Sequence, residues 1–302
     1  MKILVVGAGA VGGYFGTLLH QSGADITFLV RPATDEVIRQ KGLTVESYKG
    51  NMTIQPRTVL ARDLSSPFDL IILSVKCYDL ETVFEQIKPV VSSDTILLTL
   101  QNGVNTEERL IQQFGSHKVI GGVAFITSKL IEPGRIGHYK RGIITIGELN
   151  GEKTERLEKI HELLVRAKIT AYVTDEIMKK KWEKLCWNAT FNPLSILFNG
   201  PVERVLESKG ALDVIRQVIS EIIVVAKQVA GITLNENIAE ETISNTYGLK
   251  EYHTSMYEDW KSGKKTENDY LNGDIYQKGL ALNIPVPMNF ALYQAVKALT
   301  LP

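Results

Sequence analysis

The chain has 302 residues, of which 34 are lysine or arginine and 34 are aspartate or glutamate, so its formal net charge is zero. This length is typical of about two domains, and it can bury a core without disulfides or a structural metal. The balanced charge argues against a protein that binds nucleic acid or a membrane surface through a large basic face.

The two cysteines, Cys77 and Cys186, are too few for a disulfide framework and lack the spacing of a zinc site. We expect two buried thiols in a reducing compartment. The histidines are scattered, so we expect no metal. No apolar run approaches the roughly 18 residues of a membrane span, and the apolar stretch at the N-terminus is too short for a signal peptide. We therefore expect a cytoplasmic protein.

Short apolar runs alternate with segments of helix length over the first part of the chain. Runs that are apolar throughout predict strands buried on both faces, and therefore a parallel sheet built from βαβ units. The predicted strands are Ile3–Val6, Ile26–Val30, Leu70–Val75, Ile96–Leu100 and Val119–Phe125. The predicted helices between them are Gly12–Ser22, Leu80–Val90 and Asn105–Phe114. Two short strands with a turn at Lys140–Gly142, a helix over Glu152–Lys168 and a strand over Thr170–Thr174 complete this part.

From Asp175 onward the pattern is helical. Apolar residues recur every three or four positions from Leu212 to Val229, and Gly231 ends that helix. Further predicted helices are Glu176–Phe198, Glu236–Thr246, Thr266–Leu282 and Met288–Leu299. The expected fold is α/β, with an N-terminal Rossmann-like doubly wound sheet over residues 1–174 and an all-α C-terminal domain over residues 175–302.

A glycine-rich segment follows the first predicted strand and opens the first predicted helix. It has the pattern G-x-G-x-x-G and consists of Gly7, Ala8, Gly9, Ala10, Val11 and Gly12. The first glycine allows a tight turn, the second lets the backbone approach a pyrophosphate, and the third allows close packing of the helix on the strand. The segment predicts a dinucleotide-binding loop, with a turn that binds nothing as the alternative.

Arg31 follows the second predicted strand, about twenty residues beyond the glycines, where an NAD site would carry an acidic residue. A guanidinium can instead bind a 2′-phosphate through paired hydrogen bonds, so the sequence favours NADP(H). A solvated surface arginine is the alternative. Lys76 and Asn102 follow the third and fourth strands, at the edge of the sheet where ligands bind. Asn102 precedes a glycine, so an ordinary turn is equally compatible with it.

Three polar residues recur at four-residue intervals in an otherwise apolar segment. On a helix, Lys184, Asn188 and Asn192 form one stripe about 12 Å long, enough to line one side of a small polar metabolite. Capping or interhelical hydrogen bonds are the alternative for the two asparagines. Pro193 cannot donate to the carbonyl of Ala189 and should kink the helix. We expect the run Lys179–Lys181 to lie on a solvated face.

A second polar segment surrounds Glu267. Thr266 has the character of an N-cap with Asp269 at the third helical position, a near capping box. Capping explains Thr266 and Asp269 but leaves Glu267 unexplained.

These features together resemble the ketopantoate (2-dehydropantoate) 2-reductase family over the length of the chain. The spacings Lys-x₃-Asn-x₃-Asn-Pro-Leu and Ser-Met-x₂-Asp-x₆-Thr-Glu carry most of the resemblance. The matching residues are Gly7–Gly12, Arg31, Ser74-Val75-Lys76, Gln101-Asn102-Gly103, Lys184, Asn188, Asn192-Pro193-Leu194, Ser255-Met256, Asp259 and Thr266-Glu267-Asn268-Asp269.

The resemblance implies an NADP-dependent oxidoreductase that reduces 2-dehydropantoate to (R)-pantoate with NADPH, on the route to pantothenate and coenzyme A. It assigns Lys184 as the proton donor to the ketone. The implied substrate contacts are Asn102, Lys184, Asn188, Asn192 and Ser255, and the implied cofactor contacts beyond the glycine loop are Arg31, Lys76, Asn102 and Glu267. Hydride transfer leaves an alkoxide that needs a positive donor, and a lysine with the ordinary pKa of about 10.4 is protonated at neutral pH.

One position departs from the family pattern. A further substrate asparagine is expected ten residues after Asn192, where this chain has Val202. The departure leaves open a reductase of another 2-oxo acid or an opine-type enzyme. A non-catalytic NADP(H)-binding regulator is a third alternative, although it would not need the stripe of Lys184 and the two asparagines. We expect a small 2-oxo acid as partner, no nucleic acid and no membrane; a homodimer remains open.

Overall fold

The computed structural model describes residues 1–300 and divides the chain into two compact units. The first unit contains Met1–Gln101 and Thr106–Ile177. The second unit contains Asn102–Asn105 and the chain from Met178 onward. Within the described residues, no helix is both long enough and apolar enough to cross a membrane.

The first unit is built on one sheet of ten strands. In spatial order the main path is β4-β3-β9-β8-β7-β6-β1-β2-β5, and β10 pairs with β9. Most pairs are parallel, whereas β3–β4 and β8–β9 are antiparallel. The strands are β1 Lys2–Val6, β2 Asp25–Leu29, β3 Leu43–Ser47, β4 Met52–Ile54, β5 Arg57–Val59, β6 Leu70–Leu73, β7 Ile96–Thr99, β8 Val119–Glu132, β9 Arg135–Glu148 and β10 Thr170–Val173.

The centre of this sheet confirms the expected parallel arrangement. β1 lies between β2 and β6 and is parallel to both. Its residues from Ile3 to Val6 are buried, as is the whole of β6. Helices cover both faces of the sheet, which explains why these strands are apolar throughout and do not alternate with polar residues. The helices of this unit are α1 Ala10–Gln21, α2 Pro32–Lys41, α3 Leu80–Ile87, α4 Thr106–Phe114 and α5 Glu155–Arg166.

The predicted turn at Lys140–Gly142 is wrong. β9 runs without a break through this segment, and the turn between β8 and β9 lies before Arg135. Phe125 pairs with Ile143 and Ile126 pairs with Arg141, so Gly142 is the extra residue of a β-bulge. Its φ of 112° is the backbone conformation that a glycine bulge permits. The short strands β3, β4 and β5 were not predicted, because they lack long apolar runs.

The second unit is helical, as predicted. Its helices are α6 Ile177–Leu197, α7 Val202–Leu206, α8 Lys209–Ala230, α9 Ile238–Thr246, α10 Ser255–Lys261, α11 Asn272–Ala281 and α12 Pro287–Leu299. The apolar stripe of α8 lies at the centre of the core of this unit, with Ile215, Ile219 and Ile222 fully buried. Gly231 ends α8 in the left-handed conformation, with φ 66°.

Two local predictions in this unit are wrong. Residues 266–282 do not form one helix: a short 3₁₀ turn over Asn268–Tyr270 precedes α11, and Leu271 separates the two with a non-helical backbone. Thr266 is therefore not a helix cap. The run Lys179–Lys181 is not a solvated face, because Lys181 is only 3% exposed and its two neighbours are half-buried.

Candidate functional site

The glycine loop joins β1 to α1 and leaves one side of its backbone open. Gly7 has a φ of 95°, which favours glycine, and its amide donates to the carbonyl of Leu29 on β2. A Cβ added to Gly9 would have no heavy atom within 4 Å. Gly9 precedes α1 and provides no side-chain cap for it. The loop therefore offers open backbone at a helix N-terminus, which suits a phosphate.

Gly12, unlike Gly9, is closely surrounded by other atoms. A Cβ at this position would collide with the Oγ of Ser74 and the carbonyl oxygen of Gly7. Ser74 follows β6, and its Oγ donates to the carbonyl of Val6 at 2.9 Å. The third glycine thus lets α1 pack closely on the ends of β1 and β6, as its position in the motif predicts.

Arg31 lies where the second strand ends and helix α2 begins. Its side chain is 80% exposed, and its guanidinium bonds the carboxylate of Asp79 at 2.8 Å. Asp79 belongs to the 3₁₀ turn Cys77–Asp79, which Lys76 precedes, and Lys76 is half-buried. Arg31 thus follows the carboxyl end of β2, and Lys76 follows the carboxyl end of β6. In the sheet, β1 lies between these two strands. The sequence offered no signal for Asp79 as a partner of Arg31, because 48 residues separate the two.

The polar stripe of the second unit lies on α6, a continuous helix. Asn188 is 5% exposed and Asn192 is 2% exposed, while Lys184 is half-buried. Among the described residues, Nδ2 of Asn188 and Oδ1 of Asn192 have no hydrogen-bond partner. A buried polar atom without a partner costs about 1–3 kcal/mol, so these two atoms reduce stability unless a group from outside the chain bonds them.

Ser255 lies at the first position of α10 and is exposed. Thr254 caps this helix, because its Oγ1 accepts from the amide of Tyr257 at 3.1 Å. The same hydroxyl bonds Oγ of Ser195 on α6 at 2.7 Å, one turn beyond Asn192. The start of α10 is thereby fixed beside the end of the α6 stripe. Thr254 was missed at the sequence level, although a threonine before a short helix is a recognisable cap.

Asn102 and Glu267 belong to segments that pack together in the second unit. Asn102 is half-buried, and a Cβ at its neighbour Gly103 would lie 2.9 Å from the carbonyl oxygen of Tyr270. Glu267 is buried directly before the 3₁₀ turn that contains Tyr270, and its side chain does not cap that turn. Glu267 therefore has no capping role that would account for its carboxylate.

Val202 is fully buried on α7, and its amide donates to the carbonyl of Tyr252 at 2.9 Å. An apolar side chain inside the core cannot supply the polar contact expected there. Asn199, the nearest asparagine, has a left-handed φ of 47° and accepts from the hydroxyl of Tyr257 at 3.3 Å. In this chain, the asparagine of the family pattern is therefore replaced by a valine that packs in the core.

Cys77 and Cys186 are both buried and form no disulfide. Burial raises the pKa of the Cys186 thiol to about 12, so it stays protonated near neutral pH. Across residues 1–300, no group of three or more His, Cys, Asp or Glu side chains is arranged to hold a metal ion.

Two family models match the chain. The model described as "Ketopantoate reductase PanE/ApbA" matches residues 3–151, and the model described as "Ketopantoate reductase PanE/ApbA C terminal" matches residues 176–300. The fold and the glycine loop are those of a nicotinamide-dependent oxidoreductase. The chain belongs to the ketopantoate reductase family.

Curated relatives match this chain over almost its full length. An uncharacterized oxidoreductase of Bacillus subtilis, YkpB, is 33% identical over 98% of this chain and 100% of its own. A 2-dehydropantoate 2-reductase of Pyrococcus horikoshii is 33% identical over 99% of this chain and 97% of its own.

Solved structures share the fold, among them two of different named activity that each have a TM-score of 0.92. The 2-dehydropantoate 2-reductase of Geobacter metallireducens is 32% identical and covers 99% of both chains. A D-mandelate dehydrogenase, solved as a ternary structure with NADH and anilino(oxo)acetate, is 27% identical over 99% of this chain and 98% of its own. Proteins of this architecture therefore include enzymes named for different substrates.

The contrast between Gly9 and Gly12 can be tested with two alanine variants. We expect Gly12→Ala to cost about 1–3 kcal/mol of folding free energy because it overpacks the contact between α1 and Ser74. We expect Gly9→Ala to keep the melting temperature, because open space surrounds the added methyl group. It should weaken the binding of a nicotinamide dinucleotide about tenfold or more by blocking backbone approach. Thermal unfolding and titration with NADH and NADPH measure the two effects. Unchanged binding of both dinucleotides by a folded Gly9→Ala protein would contradict the assignment of the loop.

Proposed function

We propose that this protein is an NADPH-dependent 2-dehydropantoate 2-reductase that forms (R)-pantoate for the synthesis of pantothenate and coenzyme A. The observation that carries the proposal is the pair of buried amides on α6. Nδ2 of Asn188 and Oδ1 of Asn192 lack partners among the described residues, and they lie on one stripe with Lys184. A donor and an acceptor beside a cationic group match the hydroxyl, carboxylate and ketone of the proposed substrate.

Lys184 is the proposed general acid. NADPH, when bound, supplies the hydride that reduces the ketone carbon. Lys184 then holds a positive charge and a proton at the ketone oxygen, where negative charge develops. Asn188 and Asn192 fix the orientation of the 2-oxo acid along the stripe, with Asn102 and Ser255 as further proposed substrate contacts.

The residues of the first unit fit a dinucleotide. The open backbone at Gly9 and the uncapped start of α1 suit a pyrophosphate. Arg31 is the proposed ligand of the 2′-phosphate, because its exposed guanidinium retains donors that Asp79 does not use. The further proposed cofactor contacts are Gly7, Ala8, Ala10, Val11, Gly12, Lys76, Asn102 and Glu267.

A second candidate function is the reduction of a different 2-oxo acid. Val202 favours it, because the polar contact of the family pattern is absent from that buried position. The similarity to a D-mandelate dehydrogenase shows that this architecture accommodates an aromatic acid in another protein. The two candidates share Lys184 and the α6 amides but differ in what surrounds the side chain of the acid.

Turnover of a 2-oxo acid panel tests the choice of substrate. We expect 2-dehydropantoate to give the highest kcat/KM with NADPH, followed by absorbance at saturating cofactor. The comparison acids are phenylglyoxylate, the oxidised form of mandelate, and simple aliphatic 2-oxo acids. A higher kcat/KM for phenylglyoxylate would replace the proposed function with the second candidate. No turnover of any acid by folded protein would exclude both.

Replacing Arg31 by alanine tests the cofactor preference. The unmodified protein should prefer NADPH over NADH, since charge-assisted hydrogen bonds contribute about 1.5–3 kcal/mol, or roughly 10–150-fold. Arg31→Ala should lose most of this preference through a higher KM for NADPH, while the KM for NADH stays nearly constant. Arg39 forms an exposed ion pair with Asp35 on α2, so Arg39→Ala is a matched control. Equal use of both cofactors by the unmodified protein would contradict the prediction.

Replacing Lys184 by alanine tests the general acid. A positioned acid typically contributes about 10²–10⁴-fold, so turnover should fall by at least roughly 10²-fold while NADPH affinity stays nearly unchanged. Lys180 is on the same helix and pairs with Glu183 at 2.8 Å, which makes Lys180→Ala the matched control. A folded Lys184→Ala protein that kept most of its turnover would move the role elsewhere, with Lys76 as the next residue to test.

A further inference from the structure

Pro193 lies inside α6, one residue after Asn192. Because proline has no amide hydrogen, the carbonyl of Ala189 cannot receive the backbone hydrogen bond that a regular helix would provide at this position. Ala189 is fully buried, so water cannot replace the missing donor freely. Some other group must satisfy this carbonyl.

The side chain of Asn272 does so. Its Nδ2 donates to the carbonyl oxygen of Ala189 at 2.8 Å, from the first residue of α11. The same Nδ2 donates its second hydrogen to Oδ1 of Asn289 on α12 at 3.1 Å. Asn272 and Asn289 are both fully buried. Asn272 thus replaces, from another helix, the donor that Pro193 lacks.

Glu221 on α8 sets the orientation of the side-chain amides of Asn272 and Asn289. Its carboxylate accepts from the backbone amides of Met288 and Asn289 and, at 2.8 Å, from Nδ2 of Asn289. Nδ2 of Asn289 also faces the carbonyl of Val218 at 3.2 Å. Because the Nδ2 of Asn289 must face these acceptors, its Oδ1 must face Asn272, which in turn directs the Nδ2 of Asn272 towards α6.

In the sequence, the satisfied carbonyl lies between the two residues of the stripe that each carry one unpartnered amide atom. Ala189 directly follows Asn188, and Pro193 directly follows Asn192. The turn from Ala189 to Pro193 therefore connects the two positions that carry these atoms. Its hydrogen bond comes from Asn272 instead of the helix backbone.

We propose that Asn272, oriented by Asn289 and Glu221, is a positioning residue that sets the α6 turn at Ala189–Pro193 and thereby aims Asn188 and Asn192 at the 2-oxo acid. This inference rests on the proposed function of those two amides. Asn272 acts through α6 and does not touch the reacting atoms. A purely structural repair of the proline is the competing explanation.

A cycle of Asn272→Ala, Pro193→Ala and the double variant separates the two explanations. Alanine at 193 returns the amide hydrogen to the carbonyl of Ala189, so this carbonyl no longer needs Asn272. Oδ1 of Asn289 still loses its donor when Asn272 is removed. Alanine at 193 also gives α6 a regular turn in place of the one that Asn272 maintains. Thr190→Val is the matched control, because it removes the buried 2.7 Å hydrogen bond from Oγ1 to the carbonyl of Cys186 within the same helix.

Asn272→Ala should lower the melting temperature by roughly 2–10 °C, since a buried carbonyl loses its partner. It should also raise the KM for the 2-oxo acid by roughly 3- to 30-fold. The double variant should recover the part of the melting temperature that depends on the carbonyl of Ala189, but not the KM. Pro193→Ala alone should fold normally with a raised KM. The KM for NADPH should stay constant within about twofold in all variants, and Thr190→Val should keep the KM for the 2-oxo acid.

The KM assays use whichever acid the unmodified protein reduces fastest, so the positioning role is tested even where 2-dehydropantoate is not the preferred substrate. A wild-type KM in Pro193→Ala, or joint recovery of KM and melting temperature in the double variant, would overturn the positioning role. A raised KM in Thr190→Val would overturn it too, because any disturbance of α6 would then have the same effect. If the unmodified protein reduced no acid, the proposed function and the positioning role would both fail. The melting temperatures would still decide whether Asn272 replaces the missing donor, and no recovery in the double variant would show that it does not.

Discussion

The missing amide hydrogen of Pro193 is the constraint on which the arrangement of the second unit depends. One carbonyl in the middle of α6, that of Ala189, must find its donor outside the helix, and it finds it at Asn272. Asn272 is in turn bound to Asn289, and Asn289 to Glu221. Helices α6, α8, α11 and α12 are therefore connected by a single series of buried and half-buried hydrogen bonds. A packed apolar core alone would leave the rotation of these helices less closely determined, whereas directional hydrogen bonds specify it.

The same helix carries polar atoms that remain without partners. Nδ2 of Asn188 and Oδ1 of Asn192 each reduce stability if nothing binds them. The apolar core around α8 offsets such a cost, and binding of a polar ligand would remove it. Oδ1 of Asn272 also has no partner among the described residues, although its Nδ2 bonds both Ala189 and Asn289. Buried polar atoms without partners are typical of a site that trades stability for function.

The sequence predicted the elements that depend on local pattern. The apolar runs at Ile3–Val6 and Leu70–Leu73 identified the buried centre of a parallel sheet, and the stripe of α8 with Gly231 identified a core helix. Where a pattern admits two structures, the prediction failed. The glycine at position 142 is compatible with a turn or with a bulge, and only the fourteen-residue pairing of β8 with β9 decides for the bulge. Lys181 illustrates the same limit, since charge alone does not reveal burial.

Contacts between distant residues could not be predicted at all. Asn272 precedes a glycine and has the local character of a turn residue, and 83 residues separate it from Ala189. The sequence shows that Pro193 leaves one carbonyl without its backbone donor, but it does not show which side chain replaces that donor. The stripe of Lys184, Asn188 and Asn192 could be predicted because it depends on helix periodicity alone.

The pairing of Arg31 with Asp79 bears on the origin of cofactor preference. Arg31 on its own argues for a 2′-phosphate, yet its guanidinium already bonds a carboxylate at 2.8 Å. A phosphate that approached Arg31 would also meet the negative charge of Asp79, and in an exposed pair such charges are largely but not fully screened. The guanidinium has five N–H donors, so it can bind both groups at once. The proposed preference for NADPH therefore depends on the difference between one attraction and one repulsion, and it should be smaller than the preference that an arginine without an acidic partner would give.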